Sequence, residues 1–339
     1  MSGSKAWKEW SIWFFAFGYF ATYAPYSALD KALAEGLMTA AKTHIPGFEL
    51  LPATVLATLA GMLVFLGVTG WWKYSETRQI LGLGIHLPTR WTFLSGLCTA
   101  AIIMTTTLAY TFQGVSIVFM MLLMRGGVLV IAPTVDAFSG RRVRWFSWLA
   151  LALALSALFV AFAERMSFQL TLIAGLDITA YLLGYFIRLR FMSHLAKSDS
   201  AEATKRYFAE EQMVATPALM LVLVLLALWG GSPAALQVRA GFTSFFDRGV
   251  TLAAFAVGLL SLGTGIFGGL ILLDRRENTF CVPVNRASSV LAGVVATLAL
   301  HLAFGSRLPS AFEWTGASLI IGAILVLSLP GVIQSRRTG

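Results

Sequence analysis

Long stretches without a charged residue constrain this chain more than any other feature of its sequence. Each of five such stretches encloses about 20 residues, the length that an α-helix needs to cross the hydrocarbon core of a bilayer. They run between Glu9 and Asp30, Glu49 and Lys73, Arg144 and Glu164, Arg248 and Asp274, and Glu313 and Arg336. Only 12% of all residues are charged, about half the usual share in soluble domains. We therefore predict an integral membrane protein.

Further apolar stretches bring the predicted number of spans to ten. They lie between Glu211 and Arg239, on either side of Gln113, and around Asp177 and Arg286. All of these stretches are continuous rather than alternating, which favours helices over a β-barrel as the way to satisfy backbone hydrogen bonds in lipid. The predicted fold is therefore all-α, with ten transmembrane helices.

The basic residues indicate the orientation of the chain. If the N-terminus lies in the cytoplasm, most of the 25 lysines and arginines fall in cytoplasmic segments, as the positive-inside rule requires. We expect both termini in the cytoplasm and a location in the plasma (inner) membrane of a bacterium. Because this distribution accounts for the net charge of +9, no nucleic-acid partner is expected.

The two halves of the chain resemble each other. Residues 119–125 (FMMLLMR) align with residues 280–286 (FCVPVNR), which places Arg125 and Arg286 at equivalent positions 161 residues apart. Long loops are predicted after the first and the sixth spans, at residues 30–49 and 188–211. Five spans per half make the repeats inverted in the membrane, an arrangement typical of secondary transporters. We predict two five-helix repeats, residues 1–165 and residues 166–339.

The two matched arginines are the first candidates for a functional site. Arg125 is predicted near the middle of its span, where an ionisable side chain is costly and usually faces a cavity or a partner. Its guanidinium suits a phosphate or carboxylate of a substrate, although a structural salt bridge would explain it equally well. Arg286 lies nearer the cytoplasmic end of its span, from which its side chain could extend to the interface. Asn285 beside it would add a polar lining.

Asp177 is the one carboxylate predicted deep inside a span. Helical spacing places it on one stripe with Tyr181, Tyr185 and Arg188. Without a partner, a carboxylate at this depth would take up a proton and could couple transport to a proton gradient. As a partner of Arg125 it would instead stay ionised. Both possibilities remain open at the level of sequence.

The first span carries the remaining candidates. Tyr19 and Tyr23 are four residues apart and are predicted to line a cavity, whereas the tryptophans that precede them suit an interfacial belt. Elsewhere, Ser261, Gly265 and Gly269 form a stripe of small residues that predicts close helix packing.

The chain lacks the usual signatures of an enzyme. Its four histidines are scattered without metal-ligand spacing, and no phosphate-binding Gly-rich loop is present. We therefore expect no metal, no cofactor and no catalysis. A lipid-modifying enzyme would have to use the scattered Asp30, His44 and Glu49, and a lipid flippase would need a cavity open to lipid.

Two segments resemble a known family. Residues 140–151 (GRRVRWFSWLAL) and 313–325 (EWTGASLIIGAIL) look like the turn before the fifth helix and the tenth helix of the drug/metabolite transporter superfamily. This family includes the EamA-type, nucleotide-sugar and triose-phosphate carriers. Many members have a glutamate after the turn glycine, where this chain has Arg141 and Ser306, so it resembles a divergent member.

The resemblance implies a secondary transporter that moves a small anionic or polar metabolite by alternating access. Its substrate-binding residues would be Arg125, Arg286, Asp177, Tyr19, Tyr23, Asn285 and Tyr181. The expected partners are this small molecule and membrane lipid, and the expected assembly is a monomer or homodimer.

Overall fold

The computed structural model of the protein describes residues 3–38, 43–80, 83–112, 117–138, 145–164, 172–196, 201–274 and 278–337. Eleven α-helices lie in these ranges: α1 Gly3–Ala34, α2 Gly47–Thr69, α3 Arg90–Thr111, α4 Ile117–Phe138, α5 Trp145–Glu164, α6 Leu172–Leu195, α7 Ala201–Trp229, α8 Pro233–Phe242, α9 Thr251–Leu272, α10 Asn278–Phe304 and α11 Ala311–Arg337. The predicted break at Gln113 and the turn that contains Arg141 are outside the described residues.

The structure is that of an all-α membrane protein. Within the described ranges, α2, α3, α6, α7, α9 and α10 are long and apolar enough to cross a membrane. The other helices of 20 residues or more in these ranges, α1, α4, α5 and α11, lie on the remaining predicted spans. That all ten cross the bilayer stays a prediction.

The helices form two compact units. Unit 1 consists of Met1–Ala28, Gly114–Ile178 and Gly263–Gly339, and unit 2 of Leu29–Gln113 and Thr179–Leu262. Thus α4, α5, α10 and α11 belong to unit 1, whereas α2, α3, α7 and α8 belong to unit 2. Each unit draws on both halves of the sequence. The division into repeats at residue 165 concerns sequence equivalence rather than compactness and stays a prediction.

In unit 1 the close approach of helices depends on small residues. Gly293 of α10 lies against the sulfur of Met121 on α4, and a Cβ at Gly316 of α11 would be 2.8 Å from a methyl of Leu122. Around these contacts α4 packs on α5 and α10, and α5 packs on α11. Such small side chains let van der Waals packing join helices that lipid would otherwise solvate equally well.

Unit 2 has an apolar core shared by four helices. Leu51 and Val55 of α2, Leu108 of α3, Leu223 of α7 and Val238 of α8 are all buried in one cluster. Farther along α2, the hydroxyl of Thr58 donates a 2.8 Å hydrogen bond to the carbonyl of Gly258 on α9.

A β-hairpin follows α2 that the sequence analysis did not predict. After a 3₁₀ turn at Trp71–Tyr74, strands Glu76–Ile80 (β1) and Leu83–Leu87 (β2) pair antiparallel. Two strands alone are marginally stable in water. This hairpin is anchored by Glu210 of α7, whose carboxylate accepts hydrogen bonds from the backbone N–H of Glu76 (3.0 Å) and of Thr89 (3.2 Å).

The predicted parallel between two long loops is wrong. Asp30 lies inside α1 and Arg188 inside α6, both buried. The connection between α6 and α7 covers only residues 196–200, whereas residues 35–46 join α1 to α2. The reason is that we used charged residues to mark the ends of spans, and several of them are buried within helices.

The small-residue stripe predicted on α9 is not a packing face along its whole length. A Cβ at Gly265 would meet no atom within 4 Å. The glycines that other helices approach are Gly258, next to Thr54, and Gly263, whose Cβ would lie 2.7 Å from Thr22.

Candidate functional site

Arg125 is held by a tyrosine inside unit 1. It lies eight residues after the start of α4, and only 2% of its surface is exposed. Its Nη2 donates a hydrogen bond to the hydroxyl of Tyr23 on α1. The guanidinium carbon also lies 5.2 Å from the centre of the Tyr23 ring, within the range of a cation–π interaction.

The tyrosines of α1 form a buried stripe. The ring centre of Tyr23 is 5.2 Å from that of Tyr19 and 5.5 Å from that of Tyr26, with edge-to-face geometry in both pairs. Trp13, in contrast, is 50% exposed. The tyrosines thus face the interior of unit 1, and that they line a cavity stays a prediction.

Tyr19 and Asn285 meet at a glycine of α9. The side-chain amide of Asn285 on α10 donates a 3.3 Å hydrogen bond to the carbonyl of Gly268. A Cβ at Gly268 would lie 2.8 Å from Cε2 of Tyr19 and 3.2 Å from Nδ2 of Asn285. A continuous series of contacts thus links Asn285, Gly268, Tyr19, Tyr23 and Arg125. Because Gly268 has no side chain, α1, α9 and α10 can approach closely at this point.

Arg286 follows Asn285 directly and has no exposed surface. Its side chain is therefore enclosed by protein and does not extend to the interface, one of the two possibilities considered from the sequence. Like Arg125, it lies eight residues after the start of its helix. The buried guanidinium groups are permanently charged and offer planar pairs of N–H donors, the geometry that binds carboxylate and phosphate.

Asp177 lies in the part of α6 that belongs to unit 1 and is 6% exposed. Among the residues that the structure describes, neither of its carboxylate oxygens has a hydrogen-bond partner. The predicted salt bridge between Asp177 and Arg125 is therefore not formed. Tyr181 belongs to unit 2, where its ring centre is 4.8 Å from that of Tyr185.

The buried ion pair of Arg188 and Glu211 in unit 2 was missed by the sequence analysis. Nε and Nη2 of Arg188 donate to the two oxygens of Glu211 at 2.9 and 2.7 Å. The hydroxyl of Ser95 donates to the same carboxylate at 2.6 Å and shares a 2.6 Å hydrogen bond with Tyr207. Its only signal in the sequence was the position of Arg188 on the buried stripe of α6.

A second ion pair in unit 2 joins a buried carboxylate of α2 to an exposed arginine in a later turn. Nε and Nη2 of Arg248 donate to the two oxygens of Glu49 at 2.7 and 3.0 Å. Both carboxylates, Glu49 and Glu211, are thus fully engaged in bidentate pairs and have a structural role.

Metal ligation has no support in the described part of the chain, where no three His, Cys, Asp or Glu side chains come together. Cys98 and Cys281 are buried, and neither forms a disulfide within the described residues.

Comparisons with known proteins do not assign a family. The chain matches no model of a protein family, and no curated protein is significantly similar to it. One crystal structure of a protein resembles it with a TM-score of 0.47 and 17% sequence identity, over 91% of this chain and 96% of the other. A likeness of this size carries no information about function.

Proposed function

We propose that this protein is a secondary transporter that moves a small anionic or polar metabolite by alternating access. The observation that carries the proposal is the position of Arg125, buried in α4 with its guanidinium against the hydroxyl and ring of Tyr23. A charged side chain inside a membrane protein is costly and usually serves a substrate or ion pathway.

The chemistry of this position favours an anion. A guanidinium binds carboxylate or phosphate through two parallel hydrogen bonds. Tyr23 is a neutral partner that orients the guanidinium and leaves its charge in place. Arg125 and Arg286 would contact the anion, Tyr19 and Tyr23 would form apolar walls, and Asn285 would add a polar contact.

The helix boundaries support the proposed inverted repeat. Thr251 and Leu272, the ends of α9, follow the ends of α3, Arg90 and Thr111, by the same 161 residues that separate the two arginines. Each unit also contains equivalent helices from both halves: α4 and α5 with α10 and α11 in unit 1, and α2 with α7 in unit 2.

Two prolines adjoin the proposed site. Pro25 lies inside α1 between Tyr23 and Tyr26, and Pro283 lies inside α10 two residues before Asn285. A proline within a helix removes a backbone hydrogen bond and creates a bending point. These positions would let the helices that carry the site bend during alternating access.

The test begins with a thermal-shift screen of the purified protein in detergent. The probes are inorganic phosphate, citrate and glutamate, with choline as a cationic control. A ligand at 100 times its dissociation constant raises the free energy of unfolding by about 2.7 kcal/mol. Uptake of the best anion into vesicles should then be faster with the protein than without it. If the protein instead scrambles lipid and moves none of the anions, it is a flippase.

Arg125→Gln tests the site itself. This variant should fold and should weaken anion binding by about 1.5–3 kcal/mol, the value of a hydrogen bond to a charged group. Arg125→Lys should recover only part of the loss, since the planar fork is absent. Arg78→Gln, at an exposed position of the hairpin, is the matched control and should bind normally. Normal binding by Arg125→Gln would make Arg125 a structural residue.

We also propose that both termini are cytoplasmic, from the distribution of basic residues. After replacement of Cys98 and Cys281 by serine, a single cysteine at Glu35 should react with an impermeant thiol reagent added outside intact cells. One at Thr77, in the hairpin, should not react. Both positions are exposed, and labelling at Thr77 alone would reverse the orientation.

A further inference from the structure

Asp177 differs from the buried glutamates of unit 2. Glu211, Glu210 and Glu49 each accept two or more hydrogen bonds. Both oxygens of Asp177 are buried, and among the described residues neither has a hydrogen-bond partner. None of the described lysines, arginines or histidines forms an ion pair with it within about 4 Å.

Asp177 lies on the protein-facing side of its helix. Ala174 and Tyr181, one turn before and one turn after it, are fully buried, whereas Leu176 beside it is 60% exposed. The nearest charged residue on the buried face of α6 is Arg188. It lies 11 residues farther along, about 16 Å at 1.5 Å per residue, and is engaged by Glu211. The carboxyl group therefore has neither water nor an opposite charge on its own helix to stabilise an ionised form.

The two forms of this carboxyl group differ greatly in the cost of burial. An isolated ionised carboxylate away from water is so unfavourable that such groups neutralise instead. A protonated carboxyl group is neutral, and leaving it without a partner costs far less. Burial without a partner therefore favours the neutral acid at this position.

We propose that Asp177 is a proton-binding site, and that its proton crosses the membrane during the transport cycle. The second part rests on the proposed transport function. An oxygen of the Asp177 carboxylate accepts a proton from hydronium on one side, which forms the O–H bond and leaves water. The neutral group is then buried, as it is in this structure. In the alternate state the O–H bond breaks, and the proton returns to water on the other side.

The requirement for neutrality couples the proton to the conformational change. The ionised carboxylate is stable only where water reaches it, so the conformation with Asp177 buried forms readily only after protonation. A divalent cation is a poor alternative occupant, since no cluster of three acidic, His or Cys side chains exists in the described ranges.

Infrared spectroscopy of the purified protein in vesicles of phosphatidylcholine and phosphatidylglycerol tests proton binding without a substrate. At pH 7, the difference spectrum between the natural protein and Asp177→Asn should contain the carbonyl band of a protonated carboxyl group. Asp177→Glu should keep that band. Glu202→Gln, the control at an exposed carboxylate, should remove an ionised carboxylate signal instead. If Asp177→Asn instead loses the band of an ionised carboxylate at pH 7, the proposal is overturned.

Proton flux in the same vesicles, loaded with a pH-sensitive dye, tests the coupling. The anion among phosphate, citrate and glutamate that the thermal screen selects should drive a pH change with the natural protein. With Asp177→Asn this change should be at least about tenfold slower, and with Asp177→Glu, which keeps a carboxyl group at this position, most of the rate should return. Equal proton flux in both proteins would overturn the coupling. If none of the three anions moves, the transport function fails, and the infrared result alone decides whether Asp177 binds a proton.

Discussion

Arg188 in unit 2 and Arg125 in unit 1 are both buried arginines of long helices, and they are held in different ways. Arg188 forms a bidentate pair with Glu211, which Ser95 and Tyr207 surround with further hydrogen bonds. Arg125 instead donates to the neutral hydroxyl of Tyr23 and lies over its ring. In the first arrangement the carboxylate of Glu211 neutralises the positive charge of Arg188. In the second, the hydroxyl of Tyr23 adds no negative charge beside Arg125.

The difference separates an arginine with a structural role from an arginine that is a candidate for binding. A cancelled charge joins α6 to α7 and has little attraction left for a ligand. The contact of Arg125 with Tyr23 is a hydrogen bond to a neutral phenol, and a guanidinium can also bind an anion through further N–H donors. The same residue type is therefore structural in unit 2 and a candidate for binding in unit 1.

The largest effect on stability is expected when Arg188 loses its counter-charge. Glu211→Gln leaves the buried Arg188 without its counter-charge, and breaking a buried pair in this way costs about 3–5 kcal/mol. Thermal unfolding of the detergent-purified variant should show a strongly lowered midpoint. The double variant with Arg188→Gln should regain part of the loss, because no charge is left stranded. A stable single variant would mean that the pair is not what holds α6 to α7.

The next effect concerns the partner of Arg125. Tyr23→Phe keeps the ring but removes the hydroxyl that accepts from the guanidinium, at a cost of about 1.5–3 kcal/mol for a hydrogen bond to a charged group. Tyr74→Phe, at the exposed ring beneath Lys205, is the control and should unfold like the natural protein. If Tyr23→Phe unfolds at the unchanged temperature, another group holds Arg125.

A change in packing around Tyr19 should affect stability as much as Tyr23→Phe does, or less. Gly268→Ala places a methyl 2.8 Å from Tyr19, and such overpacking costs about 1–3 kcal/mol. Gly265→Ala, on the same helix, meets open space and should gain up to about 1 kcal/mol from the helix propensity of alanine. Thermal unfolding midpoints that shift in the same direction would contradict the contact of Tyr19 with α9.

The smallest effect on stability is expected for Asp177→Asn, in contrast to Glu211→Gln. Asp177→Asn replaces one neutral group by another of the same shape if the carboxyl group is protonated. The free energy of unfolding at pH 7 should therefore change by less than about 0.5 kcal/mol, as for a substitution that touches no special feature. A loss as large as that of Glu211→Gln would show that Asp177 is an ionised partner of a cation.

The helices could be predicted from composition, but their buried charges could not. Lipid forces apolar residues into runs of about 20, so the sequence marks each long helix. Charges such as Asp30, Arg188 and Glu211 also occur buried inside the protein. Counting Asp30, Arg188 and Glu211 as ends of spans therefore predicted loops that begin too early or end too late. The hairpin was missed because its stability comes from Glu210, more than 120 residues away in the sequence.

The candidate site was predicted in part. Helical spacing alone indicated that Tyr19 and Tyr23 share a face, and the repeat linked Arg125 to Arg286. Periodicity gives the face of a helix but not the neighbour that this face meets. For that reason the sequence did not indicate that Tyr23 contacts Arg125. The role of Gly268 was likewise hidden, since a glycine in an apolar run looks the same whether it is packed or open.

Glu210 holds the hairpin through backbone amides of Glu76 and Thr89 rather than through their side chains. These hydrogen bonds to Glu210 therefore depend little on the side chains of the strands, and residues at exposed positions of the strands can be replaced. A recognition sequence for an antibody fragment grafted onto these strands would keep these hydrogen bonds to α7. That would give electron microscopy of this small membrane protein the fixed external marker that image alignment needs.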